Sequence, residues 1–418
     1  MRAIAEASAH LVKKYRGSLS GEHGDGRVRG EFIPIMVGEK NYQILRRIKA
    51  TWDPTHIFNP GKIVDAPPMH TSLRHEKDPP EQAIPTVFDY SEAGSLLEAV
   101  EKCNGSGDCR KLAFSGGTMC PSYMATRNEK DTTRARANAL REFLTMNTKS
   151  NPFDHPEVYE AMDLCLSCKG CKSECPSNVD MATLKAEFLY HYQQANGTPF
   201  RSRVFGNIGK INQLAALTPG LSNAVLGSKS IGGLIKKILG VATQRSLPPV
   251  GRSLRSWWNR EGKMLPVTGT PKGKVYFYCD EFTNYNDPAI GQTAIKLLLR
   301  LGYQVEMPAH PDSGRAYFSK GMLREARALA VANLVFFKDL LNADSPLVGV
   351  EPSAILGFRD EFPRLVAPTR IAAATALGQH TFLLESFLVR EAQAGRISAE
   401  DFTTAPKKVK VHPHCHQK

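Results

Sequence analysis

The chain has 418 residues, room for roughly two to four domains, and its 42% hydrophobic and 23% charged content is that of an ordinary globular protein. The net charge of +13 could serve nucleic acid, an anionic membrane surface or an acidic partner, but Lys and Arg are spread along the chain with no nucleic-acid motif, and solubility plus anionic ligands is the expected reading. No apolar run reaches the length of about eighteen residues that a spanning helix needs, and the opening MRAIAEASAHLVKKYRG lacks the apolar core of a signal peptide.

The cysteines are crowded. Seven of nine lie between 103 and 175, while Cys279 and Cys415 stand alone. Such crowding without a secretory signal points to metal ligation in a reducing compartment, hence a cytoplasmic protein, rather than to disulfides.

Residues 2–15 have helical spacing, with Ile4, Ala7, Leu11, Val12 and Tyr15 on one face. The stretch GSLSGEHGDGR follows, with glycines that let backbone turn or pass close to a ligand. A second helix is expected over 39–52, then the turn of DPTHIFNPGK around Asn59-Pro60-Gly61. Residues 64–87 are proline-rich and polar, as in a linker.

GSLSGEHGDGR followed by DPTHIFNPGKI resembles the end of the C-terminal domain of FAD-linked oxidases, the family that includes D-lactate and D-2-hydroxyglutarate dehydrogenases. The resemblance implies that Glu22 helps hold a divalent metal such as zinc or manganese, which grips the substrate carboxylate and hydroxyl. It implies that His23 is the base, and it places Asn59 at the cofactor. The chemistry is consistent: removing hydride from a 2-hydroxy acid needs a base near the hydroxyl proton, and imidazole titrates near neutral pH. Read without the second motif, Glu22-His23 could equally decorate a glycine loop. The family's FAD-binding domain and its His-x-x-Asp-Gly-Asn-x-His motif should precede this stretch and are not in the chain, which is expected to start inside a domain, as a piece of a longer protein or one half of a split pair.

A helix is expected from Ser91 to Cys103. The run Cys165-Leu-Ser-Cys168-Lys-Gly-Cys171-Lys-Ser-Glu-Cys175-Pro176 has the spacing of a bacterial ferredoxin cluster motif. Zinc is the alternative, but it typically takes two separated ligand pairs. Cys103, Cys109 and Cys120-Pro121 form a degenerate first copy, with Ser106 where the second cysteine would stand. Two copies imply crossed ligation: Cys165, Cys168 and Cys171 with Cys120 around one [4Fe–4S] cluster, and Cys103, Cys109 and Cys175 one thiolate short at the other. Ser106 as an alkoxide, a three-iron or labile cluster, or a single cluster held by Cys165, Cys168, Cys171 and Cys175 all stay open. Arg127, Arg134 and Arg136 between the copies either offset cluster charge or form a solvated helix start. Asn151–Asp163 reads as a loop and short helix, and the stretch from Asn178 to Gln194 as an amphipathic helix closing over the cluster.

Residues 196–270 are rich in glycine and lysine. They read as helical packing between domains, or as a basic surface touching a membrane, with Trp257-Trp258 packed on a neighbour. From 273 strands and helices alternate: strands at 275–279, 304–307, 347–350 and 408–411, helices at 289–300 and 316–341, implying a parallel sheet with covered faces. YCDEFTNYNDP, SGRAYFSKG and VEPSAILGFRDEFP resemble the first cysteine-rich repeat of heterodisulfide-reductase-like and glycolate-oxidase-type iron–sulfur proteins, with Asp312-Ser313-Gly314-Arg315 and Ala354 where that family carries cysteines. His412-Pro-His414-Cys415-His416 resembles the opening of the second repeat and has metal-ligand chemistry.

The expected architecture is an α+β multidomain chain. It comprises the end of an FAD-linked oxidase C-terminal domain (1–65), a linker (66–87), a helical ferredoxin-like iron–sulfur domain (88–195), a helical connector (196–270) and an incomplete α/β parallel-sheet domain of cysteine-rich type (271–418). The resemblances imply a D-2-hydroxyacid dehydrogenase passing electrons from FAD through a [4Fe–4S] cluster to a quinone, cytochrome or other carrier. They leave room for a homo-oligomer, for peripheral contact with the inner face of a membrane, and for a separate electron-transfer subunit serving another FAD chain.

Overall fold

A computed structural model describes residues 1–73, 84–403 and 405–417. These form two compact units, 1–81 and 82–418. Residues 74–83 of the expected linker lie outside the described residues.

The first unit is helical. Arg2–Lys14 and Glu39–Trp52 are helices, close to the predicted bounds. The predicted apolar face of the first is not buried: within this unit only Ala9 of that helix is buried, while Ile4 and Leu11 are exposed. After the second helix Asp53, itself buried, accepts hydrogen bonds from the backbone N–H of Ile57 (2.9 Å) and Phe58 (3.0 Å), which shapes the turn leading to Asn59.

The second unit contains a four-stranded parallel sheet of order β2-β1-β3-β4, with β1 Gly273–Phe277, β2 Tyr303–Glu306, β3 Leu347–Gly349 and β4 Thr381–Leu383. Successive side chains of a strand point to opposite faces. Accordingly Tyr276, Tyr278 and Leu347 join one apolar core, and Val275, Phe277, Cys279 and Val348 the other. Trp258 packs into that second core, as expected of the tryptophan pair.

The first core runs without interruption from the sheet into the cysteine-bearing helices. It joins Tyr278, Phe337 and Phe358 with Phe88, Leu140, Phe143, Leu184 and four of the cysteines, Cys103, Cys109, Cys120 and Cys171. Its pillar is the helix Met181–Asn196, capped by Asp180, which accepts from Thr183 N–H at 3.2 Å. The sequence suggests one apolar face, but this helix is buried nearly all round, Lys185 and Glu187 included. Glu187 is tolerated there because it accepts from the N–H groups of Val87 (2.7 Å) and Phe88 (2.9 Å).

Three expected elements differ. The helix predicted from Ser91 begins only at Leu96 and ends at Glu101, since Gly94 takes φ 99° and Ser95 caps the start by accepting from Glu98 N–H. The long helix predicted over 316–341 is two, Arg315–Ser319 and Leu323–Phe337. Gly321 breaks it with φ 71°, and a Cβ there would stand 2.5 Å from Leu189 Cβ, so glycine lets the pillar helix approach. Residues 408–411 are not a strand; they are exposed and pair with no strand among the described residues, while β4, not foreseen, completes the sheet.

Candidate iron–sulfur site

The second cysteine run wraps tightly. Ser167 (φ 52°) and Lys169 (φ 59°) both hold left-handed backbone, which non-glycine residues adopt only where surrounding structure imposes it. The turn delivers Cys171 into the helix Gly170–Glu174, with Cys171 buried and Cys165, Cys168 and Cys175 half-buried. Burial pushes the Cys171 thiol up to about 12, helped by Asp180 and the neighbouring Cys165 and Cys168. Burial also raises Cys168, with Cys165 and Cys415 adding to it. Cys168 and Cys171 therefore resist ionising without a positive centre beside them.

The first copy is stitched to the second. Glu174 accepts from Thr118 N–H and Oγ1–H (both 2.6 Å) and from Met119 N–H (3.0 Å), holding the segment before Cys120 against the second run. Cys103, Cys109 and Cys120 are all buried. Cys120 has φ 57°, and its Sγ accepts from Thr133 N–H at 3.0 Å, at the start of the helix Thr133–Met146. That is the kind of N–H···S contact, near a helix N-terminus, that favours a thiolate. A hydrogen bond from Cys120 draws Cys109 down to about 6, and the same pairing holds Cys120 up.

The Cys120 thiol thus has Cys109 as a hydrogen-bond partner. Cys103 and Cys109 both lie within electrostatic reach of Arg134, and Cys165 and Cys168 within reach of Cys171. Ser106 is exposed. Arg134 lies within electrostatic reach of Cys109 and Cys103, so it can offset cluster charge. Arg136 is a structural brace, buried and donating to the carbonyls of Ala161 (2.8 Å) and Asp131 (2.8 Å).

No three Cys, His, Asp or Glu side chains among the described residues converge closely enough for a single metal ion. A cubane asks for wider spacing, because each of its four irons takes one thiolate. The all-sulfur donor set and the left-handed wrap fit such a cluster. Glu22 and His23 stand 4.0 Å apart with side chains 91% and 79% exposed, and Asn59 is exposed at φ 47°. No third Cys, His, Asp or Glu among the described residues joins Glu22 and His23 to complete a metal site.

Sequence reasoning missed the charges around the second run. Lys169, 7% exposed, is surrounded by Asp360, Glu361 (3.0 Å) and Asp180 (3.6 Å). Arg315 and Arg364 complete the network through Glu361 (2.8 Å) and Asp180 (3.2 Å). The only signal in the sequence was a lysine set between two cysteines. Where the cysteine-rich repeat carries ligands this chain has a satisfied polar core: Ser313 donates N–H (2.9 Å) and Oγ–H (2.7 Å) to Glu281, and Ala354 is buried. His414 lies 4.0 Å from Glu351, and His416 3.0 Å from Arg315.

Residues 1–63 match the family "FAD linked oxidases, C-terminal domain", and residues 102–180 match the "4Fe-4S dicluster domain" family. The chain thus carries a stretch similar to the FAD-linked oxidase C-terminal domain and, further on, one similar to a 4Fe-4S dicluster domain. Among characterised proteins it is similar to the D-2-hydroxyglutarate dehydrogenase of Pseudomonas putida (29% identical over 87% of this chain and 40% of the relative) and that of Escherichia coli (27%, over 87% and 39%). It is also similar to one subunit of the anaerobic glycerol-3-phosphate dehydrogenase of Escherichia coli, at 24% identity over 46% of this chain and 48% of the relative. The chain spans about 40% of the length of the dehydrogenases it matches. No solved structure matches.

Proposed function

We propose that this chain is the electron-transfer portion of an FAD-linked D-2-hydroxyacid dehydrogenase acting on D-2-hydroxyglutarate or D-lactate. Electrons from the flavin leave one at a time through a [4Fe–4S] cluster on Cys165, Cys168 and Cys171. The observation that carries this reading is the left-handed wrap at Ser167 and Lys169, which turns a ferredoxin-spaced run inward. The second thiol group, Cys103, Cys109 and Cys120, holds a further cluster in the same proposal, with Cys175 available to either. His23 serves as the base, Glu22 as one ligand of a divalent metal such as zinc or manganese, and Asn59 as a flavin contact, in a site completed by other parts of the protein. Module boundaries near 65, 87, 195 and 270 belong to this reading.

The similarity to a glycerol-3-phosphate dehydrogenase subunit favours one second reading, a separate iron–sulfur protein working with an FAD chain. No helix among the described residues is long and apolar enough to cross a membrane. The exposed Leu221, Ile231, Leu234 and Ile238, in a stretch from 188 to 260 that holds ten Arg and Lys and no Asp or Glu, support peripheral contact with an anionic membrane.

The test is anaerobic reconstitution with iron and sulfide. A brown protein with the broad thiolate-to-iron absorption is expected; a colourless one retaining stoichiometric zinc overturns both readings. Dye-linked oxidation of D-2-hydroxyglutarate, with and without an added FAD-domain chain, separates the first reading from the second.

A further inference from the structure

A cavity of about 380 Å³ opens directly against Cys165, a size that holds a small organic molecule. Its walls are of two kinds. Tyr159 and Leu189 form an apolar side, with the Tyr159 ring braced 4.8 Å from that of Tyr192. Lys185, Arg201 and Lys320 form a cationic side, opposed by one carboxylate, Asp163. Lys185 is 8% exposed and donates to the carbonyls of Cys165 (2.6 Å) and Asp163 (3.3 Å), so it is fixed at the cavity floor. Burial lowers the pKa of Lys320, and Arg201 beside it lowers it further. The exposed Arg201 beside the half-buried Lys320 forms an anion-attracting surface.

We propose that this cavity docks the electron acceptor as a small flat ring compound bearing an anionic group. The ring lies against Tyr159 and Leu189, and the carboxylate, sulfonate or phosphate meets Arg201 and Lys320. The assignment of the electron donor rests on the reading of Cys165 as a cluster ligand. A cluster held by Cys165, Cys168 and Cys171 would supply one electron at a time to the ring; a quinone would take two such electrons, and two protons from solvent, to become the hydroquinone. The short path through Cys165 makes the cavity an exit, and its charge selects anions over cations.

The test measures binding of anthraquinone-2-sulfonate to the full reconstituted chain by fluorescence quenching, with neutral duroquinone as control. Wild type should bind the sulfonate saturably. Arg201→Gln with Lys320→Gln should weaken it by about tenfold or more and leave duroquinone unchanged. Leu189→Trp, which fills the cavity, should weaken both. Unsaturable binding, or equal effects of the charge variants on both quinones, overturns the proposal. Cluster absorbance in the same samples tests Cys165 separately: a protein without cluster that still binds the sulfonate refutes the iron–sulfur reading, whereas an intact cluster without sulfonate binding refutes the cavity.

Discussion

Lys169 donates its ammonium to Asp360, 191 residues further along the chain, and the same nitrogen stands 3.0 Å from Glu361. This lysine sits inside the cysteine run, while both carboxylates come from the sheet-bearing part of the unit. A buried ammonium is stable only with its partners, and removing one leaves the others uncompensated. Lys169→Met is expected to lower the stability of the cluster-bearing unit by about 3 kcal/mol, read from the urea midpoint. The partners hold Asp360 well below the usual carboxylate range, its burial notwithstanding. A depressed carboxylate stabilises the fold above its unfolded value of about 4 and loses that contribution as pH falls. The wild type should therefore weaken below about pH 4, and Asp360→Asn should flatten that limb.

The opposite slope is expected from Asp280 and Glu281, at the carboxyl end of β1. Burial pushes Asp280 up to about 8, with Glu351 and Glu281 adding to it, and burial and Asp312 push Glu281 up to about 7. The folded state keeps these protons while the unfolded chain releases them near pH 4, so stability falls as pH rises from about 4 toward 8. Arg255 faces this cluster and His310 packs beside it, with burial holding His310 neutral down to about 3. Unfolding midpoints at pH 5 and pH 8 should differ by at least about 1 kcal/mol in favour of pH 5. Asp280→Asn should shrink that difference; an unchanged difference counts against the assignment.

The thiol grouping is open to direct test. Cys168→Ser should remove the cluster of the second run. Cys103→Ser should leave that cluster in place, and loss of all iron in this variant would refute the grouping. Cys120→Ser decides between arrangements: it spares the second-run cluster if Cys120 works with Cys109, and destroys it if Cys120 crosses over. Iron and sulfide content with low-temperature EPR reads each case.

The basic helical stretch gives a fourth expectation. Leu234→Glu with Ile238→Glu should abolish flotation with vesicles rich in anionic lipid. Neutral vesicles should bind neither protein at physiological salt, since apolar insertion and charge act together. Equal flotation of variant and wild type would leave these side chains without a membrane role.

Much of this was legible in the sequence, and the reason differs by element. The helix Glu39–Trp52 and strands β1, β2 and β3 follow from local periodicity, which neighbours only reinforce. The ferredoxin spacing of Cys165–Cys175 carries chemistry because ligand geometry is local there. The break at Gly321 was not legible, because it depends on Leu189 arriving from a distant helix. Nor was the hydrogen bond between the Cys120 and Cys109 thiols. β4 is three residues long and has little local signature. The Lys169 network was hidden most deeply, since all three of its carboxylates lie outside the cysteine run.

The uninterrupted core that joins Tyr278 and Phe358 to Cys103, Cys120 and Cys171 makes the iron–sulfur module inseparable from the sheet. It is not a cassette. Excising residues 88–195 would strip Phe88 of Phe318, Tyr190 of Arg324 and Leu189 of the close approach of Gly321, so the fragment should aggregate or stay molten. A change of cluster ligand in such a chain is therefore felt by the sheet as well.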